Sequence, residues 1–358
     1  MINKLKTVLN KLRKEAEKRE TSVLRVAQRA IDVRIRQRMY LDEAIMIGVL
    51  DPRLPSDVAK AYIGRGDFVK HIREINGDGK GLLADKSLFY QKFMRDGIKI
   101  PKCYIFYSPE ETITGDQRKL VSQADWIEVI KNELPDDILI KPALSEFGLG
   151  IEAYSRKDGR FVNKSESLSY EELYHKITSQ QAYGKCIVQQ RLRNHDFIHD
   201  LSNAEALQCV RLITFDNGKS KETQFFTAWF KISSGKGITD NFLHGTTGNL
   251  LAMVNPEDGH IIKVYRAHPL GGIIADVERH SVTNRQLTGI TLPLWDELKT
   301  LAEQASKAVL PVKAVGWDIA ITNDGPVIIE GNSEFAAMGK EGPYFHRDDL
   351  DSLIQSVA

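Results

Sequence analysis

The segment GWDIAITNDGPVIIEGN (316–332) holds two acids and an amide in a pattern that can bind a cation. Apolar residues alternate through Trp317, Ile319 and Ile321 and again through Val327 and Ile329, the period of half-buried strands. Between them, Asn323-Asp324-Gly325 reads as a three-residue hairpin loop with glycine where φ must be positive. That loop sets Asp318 opposite Glu330. Trp317, Ile319, Ile321, Val327 and Ile329 then form the core face, and Asp318, Ala320, Thr322, Ile328, Glu330 and Asn332 form the other. Cross-strand side chains stand about 5 Å apart, where like charges destabilise a sheet, so something positive belongs between the carboxylates. The oxygens of Asp318, Glu330 and Asn332 suit Mg²⁺, which completes its shell with water and substrate phosphates. A solvated acid pair on an exposed face is the plainer alternative.

Several cations and one loop could serve a phosphate. In KPALSEFGLGIEAY (141–154) a strand delivers Lys141, and a polar loop follows with Gly148 and Gly150, where backbone amides can approach phosphate oxygens. The strand–loop–strand order and the lack of GxxxxGK[ST] exclude a P-loop, and a plain hairpin fits the same residues. Lys86 falls in the first turn of a helix, where the macrodipole disfavours a cation by a few tenths of a kcal/mol. A phosphate or simple solvation accounts for that placement. CIVQQRLRNHDF (186–197) ends a strand at Gln189 and Gln190 and then turns. Such an exit can offer backbone groups to an adenine edge and Asp196 to a ribose, or it is merely a strand end. Arg211 lies inside ALQCVRLITF and Lys231 ends FTAWFK. Buried there, each needs a phosphate or carboxylate; an edge strand with solvated tips is the alternative. His346-Arg347-Asp348 spells a kinase triplet by chance, since no DFG and no matching glycine loop accompany it.

The elements that must position these residues are legible in outline. Asp85 caps a helix that ends at Gly97, with Pro101 beyond it, and a strand covers Cys103–Tyr107. Ser122 caps a helix stopping before Pro135, and DILIK (137–141) is a buried strand. Lys157-Asp158-Gly159 turns a hairpin, and Ser169 with Glu172 forms a capping box for a helix to about Gln180. Asn217-Gly218 turns a second hairpin, joining Leu207–Phe215 to Thr223–Ile232, and a glycine-bearing loop occupies 233–249. Thr291 and Pro293 start a helix that runs to about Val309. Residues from Asp51-Pro52 to Asp67 read as a linker leading to NGDGKG (76–81). With frequent hairpins, mixed helices and strands and no repeat of about 20–50 residues, the pattern is α+β: two lobes behind a helical N-terminal region.

A chain of 358 residues with 42% hydrophobic and 27% charged residues has the composition of a globular protein able to bury a large core. Cys103, Cys186 and Cys209 show no metal or redox spacing, no apolar leader opens the chain, and no segment approaches a membrane span, so a cytoplasmic location is expected. Net charge is +1, but residues 1–38 carry twelve Lys/Arg against four Asp/Glu. Ile2, Leu5, Leu9, Leu12 and Ala16 repeat at helical spacing there, and a second basic helix begins near Val23 after a break at Thr21-Ser22. These helices can pack on the body, associate with another helix or lie on an anionic membrane; an ordinary packed stripe under a solvated basic face is the plain reading. Nucleic acid is not an expected partner, because no aromatic-rich reader motif joins the charge.

Taken in order, ADKSLFYQKFMRDGIKIP (84–101), ILIKPALSEFGLGI (138–151), IVQQRL (187–192), CVRLIT (209–214) and GWDIAI…GPVIIEGN (316–332) resemble the ATP-grasp superfamily, closest to its sugar-transfer associated group. The resemblance spans about 65–340, and its most specific part is the Asp…Glu-x-Asn signature. It implies an ATP-grasp fold, two lobes clasping ATP, with a helical region over 1–64, lobes over 65–190 and 191–340, and a tail over 341–358. Lys86 and Lys141 would touch ATP phosphates under a loop through Ser145, Gly148 and Gly150. Gln189, Gln190 and Leu192 would form the adenine hinge, with Asp196 near the ribose. Asp318, Glu330 and Asn332 would bind one or two Mg²⁺. Arg211 would stabilise the transferring phosphoryl group or a tetrahedral intermediate, with Lys231 as a second catalytic cation. The implied activity is an ATP-dependent carboxylate–amine ligase working through an acyl phosphate, coupling an amino acid to a glycan or uronic-acid carboxylate. A kinase or carboxylating enzyme on the same fold, and a non-enzymatic nucleotide-binding scaffold, are the rivals. Neither the monomer nor a homo-oligomer is fixed by the sequence.

Overall fold

The structure is a computed structural model that describes residues 2–357 apart from 78–80, 146–147, 180–183, 220–221, 236–239, 269–271, 336–337, 341 and 343. It opens with helices α1 (Ile2–Lys18), α2 (Val23–Arg36), α3 (Leu41–Ile47), α4 (Ser56–Ala61) and α5 (Arg65–Asn76). Ser22 ends the break between the first two by accepting a bond from Arg25 N. Leu12, Ala16, Val26, Val33, Met39, Ala44, Val49 and Leu50 bury together into a small core of their own. The stretch expected as a linker thus holds α4 and the start of α5. Pro55 and Gly64, which read as breakers, stand at the N-caps of these helices, where an N–H has no helical partner to lose.

Helix α5 ties this region to the strands that carry the site. Phe68 and Ile72 join a core with Phe335 and Phe345, and the Arg73 guanidinium donates to both Glu334 carboxylate oxygens at 2.7 Å. Buried Asn76 donates to Ala314 O and Ser333 O and accepts from Lys313 N and Ala314 N. One side chain therefore saturates the backbone at the start of the site hairpin.

After α6 (Gly81–Ala84) and α7 (Lys86–Arg95), the first sheet is built from β1 (Cys103–Tyr107), β2 (Thr112–Thr114), β3 (Asp137–Pro142), β4 (Glu152–Lys157), β5 (Arg160–Val162), β6 (Ser167–Leu168) and β7 (Cys186–Gln190). The order is β2-β1-β7-β3-β4-β5-β6, antiparallel at each pairing. One face packs Ile138, Ile140, Tyr154 and Val188 under α8 (Gln123–Asn132) and α9 (Tyr170–Thr178). Both helices carry full capping boxes, Ser122 with Asp125 and Ser169 with Glu172. The other face, with Cys103, Phe106 and Ile187, meets Phe89, Tyr90 and Phe93 of α7.

The second sheet follows α10 (Asp196–Ser202) and contains β8 (Cys209–Phe215), β9 (Gln224–Ile232), β10 (Leu250–Val254), β11 (Ile261–Ala267), β12 (Ile273–Ile274), β13 (Ala314–Thr322) and β14 (Gly325–Asn332). Its order is β12-β11-β10-β9-β8-β13-β14, again antiparallel. Alternate residues Val210, Leu212, Phe230, Ile232, Trp317 and Ile319 enter the large core with α7 and α11 (Trp295–Ala308). Helix α11 begins at Trp295, four residues past Thr291: Thr291 bridges to His260, and Leu294 at the N-cap takes a left-handed φ of 55°. The chain closes with α12 (Arg347–Val357), so the chance triplet at 346–348 merely starts a helix whose His346 N donates to Asp349.

The β13–β14 hairpin corrects two expectations. It closes at Thr322 opposite Gly325, so the loop is the two residues Asn323 and Asp324, with Gly325 at φ 107°. From there Ile319 pairs with Ile328; a register shift then leaves Ile329 as the extra residue and restores Asp318 opposite Glu330. The bulge inverts the faces beyond it: Ile328 is fully buried with Trp317 and Ile319, and Ile329 is half-buried.

Candidate active site

Asp318 and Glu330 are cross-strand partners, and Asp318 is also the cross-strand partner of Arg211 on β8, itself opposite Trp229 on β9. Both β8 and β9 are interior strands, so the solvated-edge explanation of Arg211 and Lys231 does not hold. Their side chains are 11% and 9% exposed, against 7% for the Asp318 side chain. Arg211 binds Asp318 bidentately, Nε to Oδ1 at 2.5 Å and Nη2 to Oδ2 at 2.8 Å. Lys231 Nζ stands 3.1 Å from Asp318 Oδ2 and 3.7 Å from Asp240 Oδ1. Asp240 in turn accepts from Cys209 N at 2.8 Å. The positive charge demanded beside the acid pair is thus supplied, within the chain, by two buried cations.

The electrostatics follow from that packing. Burial opposes the Asp318 charge, and the Arg211 and Lys231 cations overcome it, holding its carboxyl well below the usual range. Burial likewise opposes the charge on Arg211 and Lys231, yet Asp318 for the first, and Asp240 with Asp318 for the second, raise both above their ordinary values. Asp240 moves up, because burial and neighbouring Asp318 outweigh Lys231. Asp318 thus favours the charged forms of Arg211 and Lys231, and both favour its own.

A second group of cations comes from the first sheet and α7. Lys141, on β3, is buried, with its Nζ bonded to the Tyr90 hydroxyl and 4.3 Å above the Tyr90 ring. Tyr90 donates onward to Ile329 O at 2.5 Å, so one phenol joins β3 to the bulge of β14. Burial pushes the Lys141 ammonium down to about 8, partly offset by Cys103 and Glu330, while Lys86 presses the same way as burial. Lys86, first residue of α7 after the Asp85 N-cap, donates to Ser145 O at 2.6 Å and so touches the loop after β3. In that loop Gly148 and Gly150 both take positive φ, 76° and 75°. Glu146 of the same loop lies outside the described residues.

The strand end at Gln189 forms a third part. Gln189 on β7 lies between Leu139 and Cys103 and is 3% exposed, and its buried Oε1 has no hydrogen-bond partner among the described residues. Gln190 N is used by Lys102 O at 2.8 Å. Leu192 is half-buried beyond the last strand pairing. Asp196 is exposed and held elsewhere: its Oδ1 and its backbone N both bond the Asn323 amide, at 2.9 and 3.0 Å. Asp196 therefore sits at the hairpin tip, not beside Asp318, since Asn323 lies five residues, about 16 Å of extended chain, beyond Asp318.

Asp318, Glu330 and Asn332 meet at this end of the hairpin, and both Asp318 oxygens are bonded by Arg211 and Lys231. Asn332 turns its Nδ2 to Gly316 O and Glu330 Oε1, both at 3.3 Å, which directs its Oδ1 the other way. Among the described residues no group of three or more His, Cys, Asp or Glu could hold a metal. Carboxylate and amide oxygens are the donor types that a hard ion such as Mg²⁺ takes together with water and phosphate oxygens. Gly331, between Glu330 and Asn332, has no room for a side chain as packed, since a Cβ there would lie 2.5 Å from Trp317 Cζ3.

The sequence matches the family model for sugar-transfer associated ATP-grasp over residues 71–341. The chain belongs to that family. Its fold is the ATP-grasp fold, preceded by a helical region. No curated protein matches the chain. Among solved structures it is similar to the D-alanine–D-alanine ligase of Bacillus anthracis (11% identity, 78% of this chain and 64% of that one, TM-score 0.39). It is also similar to that of Helicobacter pylori (11%, 77% and 60%, 0.42) and to the ATP-grasp ligase PsnB complexed with a precursor variant, Mg and ADP (13%, 79% and 62%, 0.39). The chain spans less than two thirds of the length of each of these structures.

Tyr90, Asp240 and Gly331 belong to the site without being evident in the sequence. Tyr90 looks like any core aromatic on an amphipathic helix, and only the presence of Lys141 in a buried strand hints that something must meet it. Asp240 has a weak signal: it lies in a glycine-bearing loop directly after the strand that carries Lys231. Gly331 is visible in the motif, but its reason, the Trp317 ring, is not.

Proposed function

We propose that this protein is an ATP-dependent ligase that joins a carboxylate to an amine, with ATP and Mg²⁺ as cofactors. The observation that supports it most is that two cation sets reach the hairpin of the Asp318–Glu330 pair: Arg211 and Lys231 bond Asp318, and Lys141 of the other sheet is tied through Tyr90 to Ile329, the residue before Glu330. A buried ammonium depressed to about 8, with no carboxylate in contact among the described residues, is an anion site waiting for its charge. Lys141 and Lys86 serve the ATP phosphates, and the loop through Ser145, Gly148 and Gly150 covers them. Gln189, through its unmet Oε1, Gln190 and Leu192 receive the adenine, with Asp196 toward the ribose side. Asp318, Glu330 and Asn332 would hold Mg²⁺, which would supply positive charge to the phosphate oxygens.

The chemistry is positioning and charge neutralisation. A carboxylate oxygen attacks the γ-phosphorus as the bond to the β-phosphate oxygen breaks, leaving ADP and an acyl phosphate. The amine nitrogen then attacks the acyl carbon, loses a proton, and phosphate leaves as the amide forms. Arg211 and Lys231 stand on the side of Asp318 and stabilise the charge that builds on the transferred group. Water must be excluded because an acyl phosphate hydrolyses. An amino acid coupled to a glycan or uronic-acid carboxylate is the substrate pair that the family's association with sugar transfer favours. ADP release measured over amino acids crossed with uronic-acid sugars tests the reading: release must require both partners. A phosphorylated product that accumulates stably without an amine overturns it in favour of a kinase.

A further inference from the structure

Helices α1 and α2 do more than pack. Each buries part of its apolar surface in the N-terminal core and leaves part in solvent. The inner end of the α1 stripe is buried at Leu12 and Ala16, but Leu5, Val8 and Leu9 on the same helix are 73%, 44% and 40% exposed. On α2, Val26 and Val33 face inward, while Leu24, Ile31 and Ile35 form a second stripe at 68%, 60% and 73% exposure. Six large apolar side chains on two consecutive helices are in water.

The free charge beside them is mainly positive. Lys6, Arg13, Lys14 and Arg25 are exposed, and no ion pair with an acid involves them among the described residues. Lys11, Lys18, Arg36 and Arg38 do pair, with Asp42, Glu15, Asp32 and Asp67. The other two acids of the region, Glu17 and Glu20, stand at the C-terminal end of α1, at least two turns from Leu5, Val8 and Leu9. The residual charge beside the exposed leucines and isoleucines is therefore positive. A helix with leucines on one face, lysines and arginines on the rest and low mean hydropathy is the kind that lies in the plane of a bilayer interface. Anionic lipid attracts such a segment by about 1 kcal/mol, or about fivefold, per Lys or Arg near the surface. A second copy of this chain would bring like charge against like, so the surplus argues against self-association through this face. Among the described residues no helix is long and apolar enough to cross a membrane, so the contact is peripheral.

We infer that α1 and α2 dock this protein on an anionic lipid surface, with Leu5, Val8, Leu9, Leu24, Ile31 and Ile35 entering the headgroup boundary and Lys6, Arg13, Lys14 and Arg25 held by lipid charge. The test is flotation of the full chain with vesicles of phosphatidylcholine alone or with about 30% phosphatidylglycerol. The chain is expected to float with the anionic vesicles at least about tenfold more than with neutral ones, and to be released by about 0.5 M salt. Two variants probe the two components: Leu24→Ser/Ile31→Ser/Ile35→Ser, and Lys6→Glu/Arg13→Glu/Lys14→Glu/Arg25→Glu. Each should lose at least about tenfold of binding while keeping the wild-type melting curve by circular dichroism, since every altered side chain is exposed. Absence of the wild type from the anionic vesicle fraction overturns the inference, as does wild-type binding by both variants. Binding to polyglutamate through the same four cations, with vesicles ignored, overturns it in favour of an acidic protein partner.

Discussion

Replacing Lys141 with methionine should strengthen the empty protein and cripple nucleotide binding, two effects of opposite sign from one side chain. The ammonium is buried and depressed from 10.5 to about 8. At ~1.4 kcal/mol per pH unit, that drop means about 3 kcal/mol is held against the charged form at neutral pH. Methionine fills a similar volume without charge. Tyr90 keeps its donor bond to Ile329 O, so the change strands no buried N–H or O–H. The variant should therefore be about 1–3 kcal/mol more stable than the wild type at pH 7 without nucleotide. The sign of the pH dependence is fixed by linkage. Between about 8 and 10.5 the unfolded chain keeps this proton while the folded chain releases it, so wild-type stability rises with pH across that window. The advantage of the variant is accordingly full below pH 8 and gone near pH 10.5. If triphosphate supplies the missing counter-charge, the same ~3 kcal/mol is recovered on binding, and Lys141→Met should weaken ATP affinity about 100-fold. Urea unfolding from about pH 7 to 10 and calorimetric titration with MgATP measure both halves. A variant less stable than wild type at pH 7, with a pH-independent gap and ATP affinity within about threefold, would show that Lys141 is a structural residue.

Three further outcomes are expected. Asp318→Asn should cost about 3–5 kcal/mol in urea unfolding, because it leaves Arg211 buried without its ionised partner and Lys231 with Asp240 alone; Glu330→Gln, at a half-buried position, should unfold like the wild type yet release no ADP. Equal stabilities for those two variants would refute the asymmetry. ATP affinity of the wild type should hold steady below pH 8 and fall as pH rises above it, because binding needs the Lys141 proton; calorimetry slightly above that value should record proton uptake, and a flat profile contradicts it. Gly331→Ala should lower stability by about 1–3 kcal/mol and reduce Mg²⁺-dependent turnover, since its Cβ would strike the Trp317 ring 2.5 Å away and displace Glu330 and Asn332 on either side; wild-type melting and turnover would mean the hairpin yields without cost.

What the sequence reveals and what it hides divide along the range of the interactions. Capping is local, and Ser122, Ser169 and Asp85 stand at the helix starts their side chains dictate. Alternation is nearly as local, and Cys103–Tyr107 and Cys186–Gln190 fold as the strands their patterns suggest. Strands of two or three residues, such as β2, β6 and β12, are too short to show a period, and no pattern in the sequence marks them. The site hairpin is the instructive case. Its loop is one residue shorter than the sequence suggests, and a bulge at Ile329 inserts one residue, so the two errors cancel between Asp318 and Glu330 and leave Ile328 and Ile329 exchanged. A bulge depends on what the strand must meet: here Ile329 O receives Tyr90, and Trp317 occupies the space beside Gly331. Those partners are 239 residues away in one case and across the sheet in the other. The same holds for the charges. Arg211 and Lys231 are visible as cations in apolar strands, but only the strand order, with β8 and β9 inside the sheet, removes the solvent that would have made them ordinary. Burial in turn makes Asp318 indispensable to both and turns Lys141 into a cation short of an anion. Chemistry at this site is therefore a consequence of topology acting on residues whose types, though not whose partners, are written locally.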